Sequence, residues 1–96
     1  MGEMADQKAI TVTVTGRVQG IGYRYAVVHA AQELGLVGWV WNAPDGSVKA
    51  FAQGDEPALG QLITFLRQGP RSARVRSVEI LSVDPDASLH GFAVRF

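Results

Sequence analysis

Cysteine is absent from this sequence, which removes disulfides, thiolate metal sites and a cysteine nucleophile in one step. Histidine is almost as scarce, and His29 and His90 lie too far apart to form a local metal-ligating motif. An excess of charge is missing too, since nine basic residues stand against nine acidic ones. That balance disfavours a broad polyanion-binding surface, because holding nucleic acid by counterion release requires a basic excess. No apolar run approaches the length of a membrane span. Residues 1–8 are polar, carry Glu3 and Asp6, and lack the basic start and apolar stretch of a signal peptide. The expectation is a cytoplasmic protein with neither membrane nor nucleic-acid partners, and the missing cysteine suits a reducing compartment.

What is present is material for one packed domain. At 96 residues, 47% of them hydrophobic, the chain is too apolar for disorder and too short for two ordinary domains. Residues 1–8 read as a flexible leader and residues 9–96 as the domain. Ile10, Val12 and Val14 alternate with Thr11, Thr13 and Thr15, the period of a strand with two unlike faces. A glycine-bearing segment over 16–22 follows. Val27, Ala30, Ala31 and Leu34 then recur at helical spacing up to Gly35, which suits the left-handed residue that closes a helix. Trp39, Val40 and Trp41 predict a strand over 37–42, Pro44, Asp45 and Gly46 a turn, and residues 47–53 the returning arm of a hairpin. Asp55 suits an N-cap before the apolar stripe Leu59, Leu62, Ile63 and Leu66, which Gly69 and Pro70 terminate. A strand over 75–83, a turn at Pro85 and Asp86, and the alternation of Phe92, Val94 and Phe96 complete the chain. This order predicts an α+β, ferredoxin-like βαββαβ two-layer sandwich, with two helices on one face of a mostly antiparallel sheet.

The segment that joins the first strand to the first helix holds the chemistry. Gly16, Gly20 and Gly22 permit backbone conformations that aim successive N–H groups into one concavity, and the helix start beyond adds its positive dipole end. Such a cradle fits a phosphate-sized anion, and Arg24 at its edge can add a forked contact to phosphate oxygens. A dinucleotide fingerprint would need glycine where Tyr25 stands, and a nucleotide P-loop would need a glycine and lysine pair that is missing. The same residues also fit a plain tight turn with Arg24 in solvent. Asn42, just before the turn, can both donate and accept, so it suits either a fixed water molecule or a capped turn. Asp45 reads as a turn residue, His29 as a solvated helix residue, and Trp39 with Trp41 as packing. Arg67, Arg71, Arg74 and Arg76 cluster around the end of the second helix as a solvated rim or a docking patch for an anion. An RNA-binding sheet of this topology would need aromatics on the first and third strands, where the sequence offers threonines and only Phe51.

At these residues the sequence closely resembles the acylphosphatase family. Residues 16–25 are similar to its phosphate-binding signature. Gly38, Trp39, Val40, Trp41 and Asn42, followed by Pro44, Asp45, Gly46, Ser47 and Val48, are similar to its second signature. Gly54 with Asp55, Gly69 with Pro70, and Gly91, Phe92 and Arg95 extend the likeness over nearly the whole chain. Trp41 departs from it, standing where the family usually carries a basic residue. The resemblance implies metal- and cofactor-independent hydrolysis of small acyl phosphates to a carboxylate and inorganic phosphate. It assigns phosphoryl binding to Arg24, water positioning to Asn42, and further phosphate contacts to the backbone of Gln19, Gly20, Ile21, Gly22 and Tyr23. The expected partners are the small-molecule substrate and phosphate product, with the chain acting as a monomer. An alternative from the binding class is a cradle that holds an anion without turning it over.

Overall fold

A computed structural model describes residues 7–96. Its elements are β1 (Lys8–Arg17), α1 (Tyr23–Glu33), β2 (Val37–Asn42), β3 (Val48–Gly54), α2 (Glu56–Gln68), β4 (Arg74–Val83) and β5 (Phe92–Arg95). The five strands form one sheet in the order β4-β1-β3-β2-β5. All neighbours are antiparallel except β2 and β5. The expected βαββαβ sandwich is therefore present, with the short last strand added parallel to β2 at one edge. Of the leader, residues 1–6 lie outside the described residues, while Lys8 already pairs with Gly54 in the first ladder.

The alternation in β1 decides which face is covered. Ile10, Val12 and Val14 are buried together with Val40, Val48, Ala50 and Ala52 from the neighbouring strands. Over them lie Val27 and Ala31 of α1 and Leu59, Leu62 and Leu66 of α2, so both helices cover one face. Burying each of these leucines contributes about 1.5–3 kcal/mol, which is why the stripe spacing fixes how α2 sits. Thr11 and Thr13, with Trp39, Trp41 and Phe51 from β2 and β3, occupy the opposite, open face. There Trp39 stacks on Phe51 with ring centroids 6.3 Å apart.

The helices start differently. Asp55 caps α2 by accepting the Ala58 N–H at 2.9 Å, and Glu56 follows in the first turn. By contrast, α1 begins after Gly22, which has φ 82° and offers no side-chain cap, and its first turn carries no acidic residue. Its first residue instead serves the other helix: the buried Tyr23 hydroxyl donates to the Leu66 carbonyl at 2.7 Å. That carbonyl belongs to the last turn of α2, where no intrahelical donor remains. The Tyr23→Phe variant is expected to lose about 1–2 kcal/mol in urea unfolding at neutral pH. Burial also raises the Tyr23 phenol above its ordinary value. A raised folded pKa keeps its stabilisation intact below the unfolded value, about 10, and loses it as pH climbs above that. The variant should accordingly show a shallower alkaline decline than the wild type, and parallel pH–stability curves would contradict this account of Tyr23.

At the end of β1 the ladder with β4 slips between Thr15 and Gly16, leaving Arg76 as the extra residue of a bulge. Gly16 has φ 127°, and a Cβ there would stand 2.1 Å from the Arg74 carbonyl oxygen. Only glycine allows this close approach, which directs the chain out of the sheet and into the loop before α1.

Candidate active site

Register brings the two signatures to one end of the molecule. Val14 and Asn42 both pair with Val48, so Asn42 is level with the last buried position of β1, a few residues before the chain enters the glycine loop. Gln19 then ties the loop down: its Nε2 donates to the Ala43 carbonyl at 2.8 Å and to the Ser47 carbonyl at 2.9 Å. This side-chain clasp was not legible in the sequence, where Gln19 reads only as a member of the backbone cradle. Gly20 and Gly22, with φ 77° and 82°, are exposed left-handed residues. Between them Ile21 packs against the core, while the side chain of Tyr23 turns fully inward. Gly20 and Gly22 present backbone to solvent, and Tyr23 has only its N–H left for a ligand.

Arg24 is half-buried in the first turn of α1. Its guanidinium lies 5.9 Å from the ring centroid of Tyr25 and 5.4 Å from that of Phe96, within the range of cation–π attraction. Phe96 follows Arg95, which pairs with Trp41, so Phe96 lies level with Asn42 one strand away. Neighbouring strands are about 4.8 Å apart, and Asn42 shares the helix-covered face with Val40. Arg24 and the glycine loop therefore meet at the N-terminus of α1, and Asn42 lies at the same end of the sheet. A cation at the positive end of a helix dipole is unfavourable by itself, so this position is not explained by helix stability. The two flanking rings are a feature that sequence spacing does not announce, because Phe96 is far from Arg24 along the chain.

Asn42 behaves differently from a turn-capping asparagine. Asp45 caps the turn: its Oδ1 accepts the Ser47 N–H at 2.9 Å and the Ser47 hydroxyl at 2.6 Å. Those hydrogen bonds, the hydroxyl foremost, hold the Asp45 carboxyl below its ordinary pKa. Among the described residues, Asn42 Oδ1 is the buried side-chain oxygen that meets no hydrogen-bond partner. An unpaired buried acceptor costs about 1–3 kcal/mol, an expense expected where a ligand is to be held. No group of three His, Asp or Glu side chains gathers into a metal-holding cluster among the described residues.

Charge along the strands is sorted. Lys49 and Arg95 both pair with Trp41, so cations flank the position where the basic residue is missing. Arg95 also stands 4.3 Å over the Trp39 ring. Arg17 and Arg74 pair at the loop end of the β1–β4 ladder, beside Arg76 at the bulge. Arg67 ends α2 at this same end, and Arg71 lies in the connection that follows. Among the described basic residues, Lys8 alone sits at the far end, where Asp55, Glu56, Asp84 and Asp86 collect. Toward the glycine loop the counter-charges are Asp45 and Glu79, the latter level with Thr13 and Lys49.

An acylphosphatase family model matches residues 10–94, which include both signatures. An acylphosphatase from Anaeromyxobacter dehalogenans is 42% identical over 93 residues, covering 97% of this chain and all of that protein. Among solved structures, an acylphosphatase from Coxiella burnetii superposes with a TM-score of 0.89 at 36% identity, covering 97% of each chain. One from Bacillus subtilis gives a TM-score of 0.89 at 31% identity, covering 93% of this chain and 99% of that one. With the fold, both signatures and the length of the chain all accounted for by these relatives, the chain belongs to the acylphosphatase family.

Proposed function

We propose that residues 9–96 act as a hydrolase that cleaves the carboxyl–phosphate bond of small acyl phosphates, releasing a carboxylate and inorganic phosphate. The observation that carries this reading is the buried, unpartnered Oδ1 of Asn42, which register sets level with the end of β1 that leads into the glycine loop. In the proposed complex the phosphoryl oxygens accept from the Arg24 guanidinium and from backbone N–H groups of residues 19–23. The N-terminus of α1, free of acidic residues in its first turn, adds its positive end.

Asn42 Oδ1 accepts one O–H of a water molecule and turns its lone pair toward phosphorus. The water oxygen bonds to phosphorus as the bond to the acyl oxygen breaks, and the bonding pair departs on the carboxylate. The water proton passes to a phosphate oxygen. A loose phosphoryl-transfer transition state asks mainly for positioning and for stabilised charge on the equatorial oxygens, which a fixed amide cradle and one arginine supply. Because a carboxylate is a weak base, its departure needs no strong general acid. The reading therefore requires neither metal nor organic cofactor. It takes the protein as a cytoplasmic monomer acting on a small molecule rather than on nucleic acid, in keeping with the balanced charge and absent cysteine.

Phosphate release from benzoyl phosphate in excess chelator is expected to run far above the spontaneous rate. A rate no greater than the spontaneous one would end the hydrolase reading, and activity that vanished with chelator would end its metal-independent form.

A further inference from the structure

The glycine loop faces two demands that conflict. Its backbone N–H groups must stay free if they are to meet phosphoryl oxygens, so backbone bonds to the rest of the fold cannot also hold them in place. Among the described residues, 19–22 enter one backbone hydrogen bond, the Gly22 carbonyl accepting the Ala26 N–H at 3.1 Å where α1 starts. Position must then come from side chains, and Gly20 and Gly22 have none. Val18 is buried, Ile21 packs against the core, and Gln19 Nε2 donates to the Ala43 and Ser47 carbonyls at 2.8 and 2.9 Å. What Gln19 grips is already closed on itself. The Ala43 N–H donates to the Ser47 carbonyl at 2.9 Å and the Gly46 N–H to the Ala43 carbonyl at 3.1 Å, while Asp45 holds Ser47 by two further bonds. Each gripped carbonyl thus has a donor from within the turn and offers its second lone pair to Gln19. The turn is held without Gln19, whereas the loop gains its two hydrogen bonds to another segment only through it. Ala43 directly follows Asn42, and Ser47 directly precedes Val48, with which Asn42 pairs.

We propose that Gln19 is a positioning residue, whose side chain fixes where the phosphate cradle stands relative to Asn42 and so sets the approach of water to phosphorus. The inference rests on the hydrolase reading and adds to it a residue that acts through its side chain, apart from any contact made by its N–H. In-line attack needs the reacting atoms about 3–3.5 Å apart, and a misplacement of about 1 Å costs about a hundredfold. One turn anchors both halves of that geometry: Asn42 through the chain itself, and the loop through two hydrogen bonds from Gln19. A loop released from the turn still offers its N–H groups, beside Arg24, to a phosphate. It no longer offers them at a fixed distance from Asn42. The loss should therefore fall on turnover and spare phosphate affinity.

Gln19→Met tests the idea, because methionine keeps the length of the side chain and removes both donors. Its kcat with benzoyl phosphate is expected to fall by about ten- to a hundredfold, while the inhibition constant of inorganic phosphate changes by less than about threefold. Thermal unfolding accompanies each measurement, and Gln19→Ala repeats the comparison if methionine disturbs the fold. A double-mutant cycle with Asn42→Ala separates positioning from general support. Once Asn42 no longer orients water, Gln19→Met has little left to misplace, so its further cost in kcat should be less than about threefold. Losses that multiply in the double variant overturn the positioning role and leave hydrolysis standing. So does a phosphate inhibition constant that weakens as much as kcat falls, or a kcat that Gln19→Met and Gln19→Ala leave unchanged. A wild type that releases phosphate no faster than the spontaneous rate overturns the hydrolase reading itself.

Discussion

Replacing Arg24 by glutamine is expected to lower kcat/KM for benzoyl phosphate by about a hundredfold or more, the usual consequence of losing one charged or preorganised contact to a transition state. Arg24→Lys should recover little of that loss. The rings of Tyr25 and Phe96 stand 5.9 and 5.4 Å from a planar guanidinium, and a lysine ammonium presents neither the flat face nor the fork that binds two phosphate oxygens at once. Stability should change little. Arg24 lies in the first turn of α1, which has no acidic residue to offset it, so removing its charge relieves an unfavourable dipole interaction of about 0.3–1 kcal/mol but forfeits a cation–π attraction of about the same size to Tyr25 and Phe96. Kinetics beside urea unfolding on the same variant provide the check. Retention of more than a tenth of the activity would remove Arg24 from the reaction, and parallel losses of activity and stability would make it a structural residue.

Much of this arrangement was legible because local pattern and global fold agree. The alternation of Ile10, Val12 and Val14 with threonines predicted the covered and open faces of β1, and the structure buries the first set. Asp55 and the stripe Leu59, Leu62 and Leu66 predicted α2 with its N-cap, which is present. Helix α1 was less legible at its start, because Tyr23 and Arg24 break the apolar spacing for different reasons. Tyr23 reaches into the core to bond Leu66, and Arg24 holds its guanidinium near the rings of Tyr25 and Phe96. The parallel pairing of β5 with β2 had no local signal, since it depends on where the chain after β4 crosses the molecule. That crossing brings Phe96 to Arg24. Similarly, the bond from Gln19 to the 43–47 turn joins segments that are neighbours only once the sheet order is known. The balanced net charge concealed a distribution that strand register reveals, with Arg17, Arg71, Arg74 and Arg76 at one end and Asp55, Glu56, Asp84 and Asp86 at the other.

For Asn42→Ala the expected result is a fall in kcat of about a hundredfold or more, while the inhibition constant of inorganic phosphate changes by less than about threefold. The separation follows from the division of labour. Phosphate is gripped by Arg24 and backbone N–H groups, none of which the substitution alters, whereas the water loses the acceptor that turns it toward phosphorus. Folding stability should hold or rise by about 1 kcal/mol, because the variant discards a buried oxygen without a hydrogen-bond partner. Asn42→Asp makes a sharper comparison. It preserves an acceptor at nearly the same place but sets a second negative charge beside the phosphoryl group, so phosphate inhibition should weaken in this variant and not in the alanine one. If the alanine substitution weakens phosphate binding as much as it slows turnover, Asn42 belongs to the phosphate grip rather than to the water. If it changes neither, the unpartnered oxygen plays no part in the reaction.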